Sequence, residues 1–221
     1  VGSDINLGGS VNVTSGSTSR VFLRNSITAN PINIGTDTGV LTSFGLTNTD
    51  LANITAGSVK IGNSSQSGNI NLSAAVSPAN FNTLSLETTG GIVNTLGGST
   101  TLLTLPNLAI RAGTGIGSTT PLNLAVSKVT FNNSASGNVK LSNVGALTVN
   151  SVDGLTTSSN AGTGTTSIST ASPLTFAVNT SSVGSATFTA GEVNNGAGPF
   201  TDNLTVNTGV TVSVTGLGNS L

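Results

Sequence analysis

Seven carboxylates carry most of the acid–base chemistry open to this chain, and they are scattered. They are Asp4, Asp37, Asp50, Glu87, Asp153, Glu192 and Asp202, with no two closer than ten residues in sequence. There is no His and no Cys, which excludes metal sites built on nitrogen or sulfur ligands and nucleophiles activated by His. Glycoside hydrolysis needs two carboxyl groups about 5–10 Å apart. Here such a pair has to be assembled by the fold, for example Asp37 with an acid one turn of chain further on. Sugar-cleaving sites also lean on Trp or Tyr platforms, and the chain has neither. Calcium needs clustered oxygen ligands, yet no EF-hand loop and no Gly-Gly-x-Gly-x-Asp array occurs. A calcium held at a corner by one Asp and backbone carbonyls is the weaker alternative. The expectation is no catalytic residue, no cofactor-binding residue, no metal ligand and no enzyme activity.

The cations are as sparse. Six Lys and Arg in 221 residues cannot form the basic stripe that nucleic acid or anionic lipid requires. Lys60 and Lys140 recur in two similar segments, Gly57-Ser58-Val59-Lys60-Ile61-Gly62-Asn63 and Gly137-Asn138-Val139-Lys140-Leu141-Ser142-Asn143. They are expected at equivalent outward positions, where a Lys discourages edge pairing. Arg20 and Arg24 are expected to face solvent. The seven Phe (Phe22, Phe44, Phe81, Phe131, Phe176, Phe188, Phe200) sit among aliphatic neighbours and are expected to stack inward. Thr-rich runs such as Thr163-Gly164-Thr165-Thr166 lack the fixed period of an ice-binding array.

The elements that must position these residues follow from composition and rhythm. Asn, Ser, Thr and Gly number 27, 31, 36 and 29, or 123 of 221 residues. Charged residues are 6% and apolar residues 35%, so low complexity here does not mean the charge-driven openness of a disordered chain. Apolar and polar residues alternate in short runs: Asp4-Ile5-Asn6-Leu7, Asn69-Ile70-Asn71-Leu72, Val210-Thr211-Val212-Ser213-Val214. Period two is the pattern of a half-buried strand. One Gln, Gln66, stands against the 27 Asn. That bias points to turns, because Asn tolerates the left-handed region and bonds its own backbone. No segment reads as a helix and no apolar run approaches the ~20 residues of a membrane span. The chain opens directly in the strand pattern, with no signal peptide, as a mature product or an excised piece would.

Repeats are weak but present. Leu84, Leu86, Gly91 and Ile92 return as Leu108, Ile110, Gly115 and Ile116, an offset of 24. The lysine segments above are offset by 80, and Pro121-Leu122-Asn123-Leu124 returns as Pro173-Leu174-Thr175-Phe176 at an offset of 52. Leu147-Thr148-Val149-Asn150 matches Leu204-Thr205-Val206-Asn207. These features predict one all-β domain over residues 1–221, a right-handed parallel β-helix of roughly ten rungs with about 22 residues each. An immunoglobulin-like sandwich is the rival, disfavoured by the short strands and few aromatics. Inward positions are expected to include Ile5, Leu7, Ile70, Leu72, Leu84, Leu86, Leu108, Ile110, Leu122, Leu124, Leu147, Val149, Leu204 and Val206. No polar cap is evident at either end.

A resemblance enters at Leu108-Ala109-Ile110-Arg111-Ala112-Gly113-Thr114-Gly115-Ile116-Gly117. It continues through Ser136-Gly137-Asn138-Val139-Lys140-Leu141 and Gly145-Ala146-Leu147-Thr148-Val149 to Asp202-Asn203-Leu204-Thr205-Val206-Asn207. In composition and rhythm, best over about residues 84–217, the chain resembles the repeat regions of large bacterial exoproteins of the filamentous haemagglutinin type. Those are adhesins exported by two-partner secretion or autotransport. The resemblance implies a β-helix shaft at the outer surface or released, acting in adhesion, aggregation or biofilm. The family's N-terminal secretion signature is not identifiable here. The expected partners are further copies in a fibre, continuation of a longer chain, or a host, neighbouring-cell or matrix surface. Nucleic acid and membrane insertion are not expected. A carbohydrate-binding or polysaccharide-active β-helix is the alternative function.

Overall fold

The recurring aliphatic pairs lie beside one another in parallel ladders. The computed structural model describes residues 7–13, 19–37, 39, 42–191 and 203–221. Every strand pairing within its sheets is parallel, and the sheets hold eleven, five, four and two strands. The eleven-stranded sheet has a longest path of eight strands: Arg20–Leu23, Ser58–Gly62, Thr83–Glu87, Asn107–Ala112, Lys128–Asn133, Leu147–Val149, Leu174–Phe176 and Leu204–Val206. Their register sets one inward file, Val21, Val59, Leu84, Leu108, Val129, Val149, Phe176 and Val206. A second file holds Leu23, Ile61, Leu86, Ile110 and Phe131.

The four- and five-stranded sheets continue one another. Ile32, Ile70 and Ile92 share a file, which runs through single bridges at Ile116 to Val139. Most inward side chains of these strands form one apolar cluster from Leu23 to Phe176. Each fully buried aliphatic or Phe side chain in it contributes about 1.5–3 kcal/mol by leaving water.

The offset of 24 is a true step of the ladder, since Leu84 pairs with Leu108 and Leu86 with Ile110. Other steps differ. Val129 to Val149 covers 20 residues and Val21 to Val59 covers 38, because corner excursions vary in length. Among the described residues the longest path holds eight strands. Leu147 and Leu204 share a file two steps apart, through Leu174. The offsets of 80 and 52 join unlike places. Ser58–Gly62 lies in the eleven-stranded sheet and Val139–Asn143 in the five-stranded one, so Lys60 and Lys140 are not equivalent. Leu122–Ala125 and Leu174–Phe176 are separated in the same way.

Most expected inward residues are buried: Ile70, Leu72, Leu84, Leu86, Leu108, Ile110, Leu122, Leu124, Leu147 and Val149. Leu7 is half-buried, and Ile5 lies outside the described residues. Leu204 and Val206 keep the inward register but are 46% and 44% exposed, because no described strand pairs beyond them. Phe44, Phe81, Phe131 and Phe176 are buried. Phe188 is half-buried and meets Phe176 edge-on, with ring centroids 4.8 Å apart. Phe22 corrects the expectation for aromatics. It is 61% exposed, since Val21 and Leu23 take the inward sites of its strand and alternation turns Phe22 out. Phe200 lies outside the described residues.

At one corner the levels touch backbone to backbone. A Cβ on Gly113 would lie 2.0 Å from the carbonyl oxygen of Thr89, and one on Gly184 would lie 2.2 Å from that of Gly164. The corner closes through Gly113 N–H donating to Gly90 O at 2.9 Å.

A short helix, Asn48–Ala52, departs from the helix-free expectation. It carries a capping box: Thr47 Oγ1 accepts from Asp50 N at 3.2 Å, and Thr47 N donates to Asp50 Oδ2 at 2.9 Å. Five residues are too few to show a helical period. The preceding strand, Phe44–Thr47, pairs with the edge of Ile32–Gly35 that faces away from Ile70–Leu72. Leu7 N donates to Asp50 Oδ1 at 2.9 Å and Asn53 Nδ2 donates to Leu7 O at 2.6 Å. That sheet edge is thus covered, where no cap was expected.

Burial pushes the Asp50 carboxyl up, but the hydrogen bonds from Thr47 Oγ1, Leu7 N and Thr47 N outweigh it and hold it below the ordinary 3.8. A depressed carboxylate stabilises above its unfolded pKa, and that contribution is lost as pH falls through the folded value. Asp50→Asn is expected to cost about 1 kcal/mol at pH 7. Urea unfolding at pH 7 and pH 2 checks this: the gap between wild type and variant should close at the lower pH.

Candidate functional site

The outer face of the eleven-stranded sheet gathers the charge. Register places three outward columns side by side. One holds Arg20, Ser58, Thr83, Asn107 and Lys128; the next Phe22, Lys60, Ser85, Ala109 and Thr130; the third Gly62, Glu87, Arg111 and Asn132. Arg24, just past the first strand, lines a recess of about 480 Å³ with Phe22, Lys60, Gly62 and Asn63. Five of the chain's six cations thus share this face with Glu87 and Asp153, while Lys140 lies on the five-stranded sheet.

Asp153 arrives from a distance. Strand Lys128–Asn133 supports two strands at the next level, Leu147–Val149 and Ser158–Asn160. Between them the chain leaves the sheet and turns at Val152-Asp153-Gly154-Leu155. Val152 N donates to Leu155 O at 3.2 Å and Leu155 N to Val152 O at 3.0 Å. Asp153 and Gly154 have φ of 50° and 77°, the two left-handed residues of a type I′ hairpin, which Asp-Gly suits. The Asp153 side chain is 3% exposed and pairs with Arg20; its Oδ2 lies 3.7 Å from Arg111 Nη1. Arg111 Nη2 donates to the Asp153 carbonyl at 2.7 Å, and Arg111 Nη1 to Ser85 Oγ at 3.1 Å. Thr130 Oγ1 donates to the Asn150 carbonyl. Burial draws the Arg111 guanidinium below its ordinary value, nearby Glu87 pushes it up, and Arg20 adds to the lowering.

Lys60 pairs with Glu87, and the Arg20 guanidinium stands 5.6 Å from the Phe22 ring centroid. Beside the hairpin runs a groove of about 330 Å³, lined by Ser64, Glu87, Arg111, Asn132, Ser134 and Leu155 among others. These groups offer donors and acceptors to hydroxyls, amides or carboxylates, with one apolar wall. They do not pair a nucleophile with a base. Arg20 and Arg24 are exposed, as expected, and the Arg20 guanidinium is at the same time tied to Asp153.

Asp37 and Asp50 line one recess at the helix end, the meeting of acids from separate segments that a hydrolase would need. Both Asp50 oxygens and one Asp37 oxygen accept hydrogen bonds, however. Asp37 Oδ1 accepts from Gly39 N at 2.8 Å, and Asp50 is held ionised by its cap, whereas a general acid needs a raised pKa. Among the described residues no group of three His, Cys, Asp or Glu is placed to hold a metal ion. Asp4, Glu192 and Asp202 lie outside the described residues. The Arg20–Asp153–Arg111 constellation escapes sequence reading because its members are 133 and 42 residues apart. The turn signature Asp153-Gly154 marks only the corner. No family model, curated protein or solved structure matches this chain.

Proposed function

We propose that this chain is a structural shaft segment of a secreted bacterial surface adhesin or extracellular filament, with its parallel sheets forming the walls of a right-handed β-helix. The parallel ladders with continuous aliphatic files support the solenoid reading, and right-handed crossovers are the rule for parallel strands. Its place is outside the cell, where such a shaft works in adhesion, aggregation or biofilm, and it has no catalytic role.

The observation that carries the reading is the bared inward pair Leu204 and Val206. Both sit in file behind Leu174 and Phe176, on an open strand edge that a further rung would pair and bury. At the opposite end strand Phe44–Thr47 already pairs the outer edge of Ile32–Gly35, which favours addition at the Leu204 end. The added rung comes from a longer chain or from another copy. From residue 154 to the end the sequence holds two charged residues, Glu192 and Asp202, so little repulsion opposes contact there.

The experiment compares wild type with a Leu204→Glu, Val206→Glu double variant by sedimentation and electron microscopy. Wild type should associate with rising concentration, and the variant should stay monomeric with unchanged circular dichroism. A wild type that is monomeric throughout, with the variant indistinguishable from it, would remove assembly through this end. A second reading, carbohydrate binding, rests on the groove beside Leu155 and the exposed Phe22. Saturable binding of a soluble glycan, lost in Arg111→Gln, would favour it.

A further inference from the structure

In a stack of parallel strands each level touches only its neighbours, so an end frays without asking the middle. The hairpin at Asp153 breaks that rule. It leaves the sheet at the sixth level, between Leu147–Val149 and Ser158–Asn160, and its contacts skip backwards. Asn150 meets Thr130 at the fifth level, Asp153 meets Arg111 at the fourth, and the Asp153 carboxylate reaches Arg20 at the first, 133 residues earlier. We propose that this hairpin is an electrostatic strap that binds the first six levels of the long sheet into one cooperative unit.

The sheet is shaped to receive it. Ser85, Ala109 and Thr130 point outward, yet all three are buried, and they are small. Their column neighbours Phe22 and Lys60 are large. The small side chains make a track, and the hairpin lies on it with Val152 buried outside the main core. The tip is fixed by its type I′ geometry. The carboxylate is shielded from water and receives guanidinium groups from two levels, which makes the contacts charge-assisted. Shielding also weakens screening by salt. Arg20 is the more exposed partner, so the far end of the strap is its weaker joint. This inference stands on the ladder and its contacts, and it holds whether or not the shaft assembles.

Hydrogen exchange resolved by strand tests it, with wild type, Asp153→Asn, Arg20→Gln and the double variant. In wild type the amides of Ser58–Gly62 and Thr83–Glu87 should be protected as well as those of Lys128–Asn133. In either single variant the two earlier strands should exchange about tenfold faster or more, with Thr166–Thr170 unchanged and the double variant no faster than the singles. Ala109→Leu, which fills the track and leaves every charge in place, should give the same pattern. Exchange within about twofold of wild type in all variants would overturn the strap. So would equal loss of protection at Thr166–Thr170, which would mark general destabilisation.

Discussion

Gly113→Ala is expected to be among the most damaging single-methyl changes in the chain. The added carbon would stand 2.0 Å from the Thr89 carbonyl oxygen, well inside van der Waals contact. That oxygen belongs to backbone pinned in the neighbouring level, so no side chain can swing aside. Relief requires the two levels to part at the corner, which breaks the bond from Gly113 N to Gly90 O and unseats Ile110 and Ile116 on either side. The cost should be about 3 kcal/mol or more, at the upper end of overpacking effects. Gly145→Ala is the matched control. Nothing lies within 4 Å of its added carbon, and the change should stay within about 0.5 kcal/mol. Urea midpoints for the two variants decide the matter; equal midpoints would mean the corner is looser than its geometry says.

Phe131→Ala should cost about 3–5 kcal/mol. The ring is fully buried in the file behind Ile110, at the strand that carries two strands on its far side. A hole there has little means of collapse, because backbone ladders hold its walls apart. Phe22→Ala makes the comparison sharp. The same chemical change at an exposed outward site removes only a contact with Arg20, worth about 0.5–1 kcal/mol. Thermal or urea unfolding of both variants reads the strand register directly. If Phe22 proved the costlier, the strands would be set one residue out of place, which turns every side chain to the opposite face.

How much of this is legible in the sequence depends on the distance over which each feature is encoded. Pairs such as Leu84 with Leu86 and Leu108 with Ile110 announce themselves, since alternation is local and their offset is one ladder step. The same alternation places Phe22 outward; the wish to bury an aromatic obscures it. Excursion lengths are not written in any period, so lysines that look equivalent fall in different sheets. The helix Asn48–Ala52 has only its cap to signal it. The face around Arg111 is hidden for a different reason. It exists only when columns from five levels are aligned and a hairpin from the sixth is laid across them. Once the ladder step at Leu84 is extended, the small outward residues Ser85, Ala109 and Thr130 become readable as a track; the partner that lies on it does not.

The spacing of the ladder also bears on the order in which the chain can be laid down. In the eleven-stranded sheet each strand pairs with one made 20 to 38 residues before it. The loops closed at successive steps are therefore similar, and so is the entropy of closing them. Growth proceeds by templating, one level offering its open edge to the next, at a pace that total length barely alters. Asp153 stands outside this scheme, since its receiver Arg20 precedes it by 133 residues. For a chain that emerges N-terminus first, that receiver is already seated when the turn appears, and the long closure costs little. For a chain that emerges from the other end, the turn forms with nothing to hold.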